Sequence, residues 1–165
     1  MNLTAPQMES AVSRIVTRLA ERERRVYALR LHQLSMGIDP TIFVRHATLH
    51  LVLPDLAFLR QFAAADNRHS AVAALQEALS WGMRIHISLH RQLLGALPVK
   101  ALSRLPLSFS DHQGHDVRLF GGPLLSYRDI AAQKPGWLVV QRKTLITPLV
   151  RDSLLSRHIQ LLRQE

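Results

Sequence analysis

The stretch from Trp137 to Glu165 constrains the fold more than any other part of the chain. Trp137-Leu-Val-Val-Gln141 is a short apolar, β-branched run and reads as a strand. Thr144 to Pro148 opens a helix that continues through Arg157, and Ile159 to Leu162 reads as a closing strand. Two parallel strands joined by a helix require a right-handed crossover that covers one face of their sheet. The segment therefore predicts an α/β class with a mostly parallel sheet, and it carries no chemistry of its own.

The rest of the chain continues the alternation. Residues 7–25 place Met8, Val12, Ile15, Val16 and Leu19 at the i, i+3, i+4 spacing of an amphipathic helix, with Glu9, Ser13, Arg14, Thr17, Arg18, Glu21 and Arg22 on the opposite face. Val26 to Leu34 either continues the helix or begins a first strand; the alternation of Tyr27, Leu29 and Leu31 with Ala28 and Arg30 favours the strand, and the turn Gly37-Ile-Asp-Pro40 ends the segment. Thr41–Phe43 and Thr48–Leu53 read as strands, Pro54–Ala64 and Ser70–Trp81 as helices, with Gly82 at the usual left-handed cap position. Met83–Leu89 alternates Ile85, Ile87 and Leu89 with Arg84, His86 and Ser88, the pattern of a strand with one buried face. Two short helical pieces, 90–97 and 98–105, precede a strand at 106–110, a turn at 111–115 and a strand at 117–120. Leu125–Ala132 adds a further helical turn. The organisation predicted is an N-terminal amphipathic helix over residues 1–25 and one three-layer α/β domain over residues 26–165.

Composition removes several function classes. The chain has no cysteine, which excludes thiol nucleophiles, disulfides and thiolate metal ligands. Its start has no charged region followed by an apolar core, and no run approaches the ~20 apolar residues of a membrane span, so a soluble chain without a membrane partner is expected. The net charge of +9 is almost wholly arginine, since Lys100, Lys134 and Lys143 are the only lysines. The arginines are scattered, and the one dense stretch, Arg14 to Arg25, is interrupted by Glu21 and Glu23. A solvated basic surface accounts for this better than a nucleic-acid partner.

Candidate sites are few. Thr147 and Pro148 open a helix whose free N–H groups, with Arg151 nearby, make an anion site, although the same threonine also serves as a plain N-cap. Neither GxGxxG nor a Walker loop is present around Gly121-Gly122. His46 with His50, and His86 with His90, lie four residues apart, about 13 Å on a strand, too far to share one ion. His112 and His115 beside Asp111 meet in a turn but lack the third and fourth ligands that zinc requires, so neither a metal nor another cofactor is expected. Ser110 and Ser126 stand in no Gly-x-Ser-x-Gly elbow, and no catalytic residue is assigned. The apolar stripe of the N-terminal helix has three readings: packing on its own sheet, docking in a groove of a partner protein, or lying on a membrane surface, the last disfavoured because the face carries no aromatic residue.

Several segments resemble one known family: Arg45-His46-Ala47-Thr48-Leu49, the run Ile87 to Leu94 (ISLHRQLL), Pro98 to Phe109 (PVKALSRLPLSF), Leu125 to Ile130 (LSYRDI) and the ending His158 to Glu165 (HIQLLRQE). The chain resembles the PduM family of proteins from the bacterial microcompartments of propanediol utilization. The resemblance implies a cytoplasmic, organelle-bound structural component needed for assembly of the compartment that encloses coenzyme B12-dependent propanediol breakdown. Its partners would be shell or lumen proteins, and it brings no catalytic residues. In pattern, the N-terminal helix is similar to the short encapsulation helices of other cargo proteins of such organelles. The reading from another class is a small-ligand protein of flavin or nucleotide type, because doubly wound sheets bind ligands beyond their strand ends.

Overall fold

The computed structural model describes residues 2–165. The chain begins with α1 (Ala5–Arg24), β1 (Val26–Arg30), α2 (Leu31–Ser35), α3 (Pro40–Arg45) and β2 (Thr48–Val52). It continues through α4 (Leu56–Ala63), α5 (Ser70–Ser80), β3 (Arg84–Leu89), a 3-10 turn (Arg91–Ala96) and α6 (Val99–Leu102). After β4 (Leu107–Asp111) come β5 (Asp116–Phe120), β6 (Leu124–Leu125), α7 (Tyr127–Ile130), β7 (Gly136–Val140), β8 (Leu145–Ile146), α8 (Pro148–Leu154) and β9 (Ile159–Arg163). Seven strands form one sheet in the order β1-β2-β3-β4-β5-β7-β9, and β6 and β8 make a small parallel pair beside it. This is the α/β architecture with a mostly parallel sheet and an N-terminal helix that the sequence pattern predicts.

One hairpin decides how the layers are arranged. Strands β1 to β4 are all parallel, and the turn at 112–115 then reverses the chain so that β5 pairs antiparallel with β4 through Phe109↔Val117 and Ser110↔Asp116. Strands β7 and β9 run parallel to β5 and extend the sheet in the same direction. Right-handed crossovers between strands of one sense lie on one face; once the strand sense is reversed, the same handedness puts them on the other face. The helices before the hairpin accordingly bury Leu49, Leu51, Ile85, Ile87 and Phe109 in the main core, together with Phe58, Leu75 and Leu102 from α4, α5 and α6. Ile130 of α7 and Val150 of α8 pack on the opposite face against Leu138, Val140 and Ile159. Each fully buried aliphatic side chain in these layers contributes about 2 kcal/mol relative to an exposed one.

The second face is therefore helix-covered over β7 and β9 and left polar over β1 to β4. There Ala28, Arg84 and Ser108 are exposed, while Thr48, His50, Val52 and His86 are half-buried. Close packing within the sheet shows at Gly136, which has φ +149°; a Cβ there would lie 2.2 Å from the carbonyl oxygen of Asp116 on the paired strand.

Two local readings are corrected. Thr41–Phe43 lies in α3 and is not a strand, because Asp39 accepts a hydrogen bond from the Thr41 N–H at 2.8 Å and Pro40 supplies the first helical position. The strand from Val26 stops at Arg30, and Leu31 begins α2, where the Gln33 side chain accepts from the Arg30 N–H at 2.8 Å. Among the described residues no helix is long and apolar enough to cross a membrane.

Candidate functional site: the projecting helix and the histidine clusters

Helix α1 starts at Thr4, whose N–H donates to the Gln7 side chain at 3.0 Å, has Pro6 in its first turn, and ends with Arg22 and Arg24. The arginines complement the negative end of the helix dipole. Its twenty residues span about 30 Å. Among the described residues, the hydrogen bonds and ion pair that tie α1 to the domain come from its last turn: Arg22 Nε donates to the Phe43 carbonyl at 3.2 Å, the Arg22 carbonyl accepts from Ala47 N–H at 3.0 Å, and Glu23 pairs with Arg84 at 2.6 Å. No residue of α1 is buried. Met8, Val12, Ile15, Val16 and Leu19 are 54, 53, 57, 57 and 58% exposed. The stripe therefore lies outside the hydrophobic core of its own domain.

Where α1 meets α3, Arg18, Glu21, Arg22 and Arg25 face Val44 and Arg45 across a groove of about 380 Å³. Four guanidinium groups stand there against one carboxylate, Glu21, which reaches Arg25 only at 4.0 Å with both side chains more than half exposed. The groove is thus basic, and the side chains of α1 that line it belong to the polar face of the helix and not to its apolar stripe.

The histidines meet across strands and not along them. In-register pairing of β2 with β3 sets His50 opposite His86, with ring centroids 5.1 Å apart. His50 Nε2 lies 3.0 Å from the Ser88 hydroxyl, while His86 has Ser108 at 2.7 Å from Nδ1 and Ser110 at 2.8 Å from Nε2. Burial lowers the pKa of His50 from its ordinary value. For His86, burial and then the neighbouring His50 lower it, against a raising influence of Asp116. Ser110 thus touches a histidine, but both nitrogens of that ring are occupied by hydroxyls and no carboxylate orients it, unlike the base of a hydrolytic triad. Pairing along the chain missed this cluster. The repeated motif Leu49-His50-Leu51, Ile85-His86-Ile87 and Leu107-Ser108-Phe109 carries the signal, since equal polar phases align on one face of a sheet.

A second cluster sits past the carboxyl ends of β3 and β4. His90 and His112 stack at 4.3 Å, and His115 turns instead to Asp111, with Nδ1 at 2.9 Å from Oδ2. His112 and His115 thus take different partners. Among the described residues no three His, Asp or Glu side chains come together in a metal-holding group. Asp111 is buried; burial works to raise its pKa, but hydrogen bonds from the His115 ring and N–H, the Gln113 N–H and the Trp137 indole outweigh it and hold the carboxyl at about 2.

Thr147 holds the N-cap position of α8, with its N–H donating to the Leu125 carbonyl at 3.2 Å and its hydroxyl making no capping bond among the described residues. Arg151 points to solvent one turn on. Ser126 is engaged by Asp129, which accepts from its N–H at 2.8 Å and its hydroxyl at 2.9 Å.

Fold and surface together define an α/β protein with one projecting amphipathic helix. The family described as "Putative propanediol utilisation" matches residues 10–160, and the chain belongs to that family. It is 41% identical over 158 residues to the "Bacterial microcompartment assembly protein PduM" of Salmonella typhimurium strain LT2, covering 96% of this chain and 97% of the relative. It is 37% identical to the protein of the same name from Citrobacter freundii, with the same coverage. No solved structure matches the chain.

Proposed function

We propose that the protein is a non-enzymatic assembly component of the bacterial microcompartment for 1,2-propanediol utilization, located in that organelle and acting by contact with its shell or lumen proteins. The name of its relatives supports the organelle and the assembly role. The observation that carries the mechanism is the stripe of Met8, Val12, Ile15, Val16 and Leu19, more than half exposed on a helix whose hydrogen bonds to the domain, among the described residues, come from its last turn. Burying the rest of five such side chains in a partner groove is worth on the order of 1 kcal/mol each before the cost of association. The basic groove formed by Arg18, Arg22, Arg25 and Arg45 sets approach and orientation against an acidic rim.

The test is co-purification with intact microcompartments of the full chain carrying Ile15→Glu and Leu19→Glu, with folding followed by circular dichroism. Both positions are exposed, so the expected result is a folded protein absent from the organelle. Retention of the double variant at the level of the parent moves the contact surface to the α/β domain.

A further inference from the structure

A cleft of about 340 Å³ opens where the carboxyl ends of β3 and β4 meet the amino ends of β7 and β9, and Arg91, Asp111, His115, Trp137, His158 and Gln160 line it. Its only carboxylate is already saturated. Asp111 Oδ1 accepts from the N–H groups of Gln113 and His115 at 2.9 and 2.8 Å; Oδ2 accepts from the His115 ring at 2.9 Å and from Trp137 Nε1 at 3.2 Å. The donors facing it are not saturated. Among the described residues, the Arg91 guanidinium, the His158 ring and the Gln160 amide have no hydrogen-bonded or ion-paired partner, and His115 keeps Nε2 free. A concave site whose acid is committed and whose exposed Arg, His and Gln side chains line it with free donors favours an oxyanion.

Two further features shape the cleft. The indole of Trp137 is fixed by its bond to Asp111 and remains half-buried, leaving a flat apolar wall. His158 has φ +54°, a left-handed conformation uncommon for a residue other than glycine, and its carbonyl is held by the Gly136 N–H at 3.2 Å. We infer that this cleft binds a small ligand of mononucleotide size, with its phosphate on Arg91 and His158 and its planar ring along Trp137. The volume lies at the small end of the range for ligand sites, which suits one ring and one phosphate better than a dinucleotide. The site is separate from the α1 stripe and does not depend on the assembly reading.

The experiment uses the full chain with Trp81→Phe, so that Trp137 is its single tryptophan; Trp81 is half exposed against Phe43 and tolerates the change. AMP and UMP are titrated and followed by Trp137 fluorescence and by calorimetry, with adenosine and inorganic phosphate as the separate halves of the ligand. Saturable binding of a monophosphate is expected, competed by phosphate, at least tenfold weaker for adenosine, and at least tenfold weaker in Arg91→Ala. Arg91 is exposed, so that variant keeps its fold, which circular dichroism confirms. Neither nucleotide binding at about millimolar concentration by either readout overturns the inference. Equal affinity in Arg91→Ala overturns it too.

Discussion

The indole N–H of Trp137 on β7 donates to Oδ2 of Asp111 at the end of β4, 3.2 Å away. This bond joins the two halves of the sheet, strands that run in opposite senses on either side of the hairpin. Asp111 is at once the acceptor for the turn's own N–H groups and the anchor for the following strand.

Asp111→Asn is expected to destabilise the domain by about 2 to 3 kcal/mol, because the new amide NH2 faces the His115 and Trp137 donors and leaves them unpaired. The folded carboxyl sits at about 2 against an ordinary 3.8. Its contribution is present above pH ~3.8 and is lost as the pH falls through about 2. Urea unfolding of parent and variant at pH 7 and in acid measures both effects; equal midpoints at pH 7 would refute the role of the carboxylate.

The His50–His86 pair predicts a different window. Both folded-state values lie below the ordinary 6.5, so the unfolded chain takes up protons first as the pH drops. Stability is full above pH ~6.5 and declines as the pH falls from there through the folded values. A lower thermal midpoint at pH 5 than at pH 7.5 is expected, with a shallower dependence in His86→Gln. An unchanged slope in that variant would assign the effect to other groups.

Helix α1 predicts a gradient of protection. An isolated helix of this length is marginal in water, and among the described residues its hydrogen bonds to the domain come from its last turn. Amide hydrogens of residues 9–18 are expected to exchange orders of magnitude faster than those of Ile85 and Ile87, which lie in the centre of the sheet. Comparable protection in both segments would place α1 against another surface in solution.

The amino-acid pattern alone was sufficient for the α/β class, the amphipathic helix and the strands around Ile85–Leu89 and Trp137–Val140, because apolar periodicity is a local property with a direct geometric meaning. It misread 41–43, where one capping aspartate and a proline override the β-branched composition. The exposure of Met8 to Leu19 was open in the sequence, since an amphipathic stripe looks the same whether its partner is the chain's own sheet or another protein. The meeting of His50 with His86, the saturation of Asp111 and the cleft between Arg91 and His158 were decided by tertiary structure alone. Strand register and the reversal at residues 112–115 bring these groups together from distant parts of the chain, and no local spacing encodes which strands become neighbours.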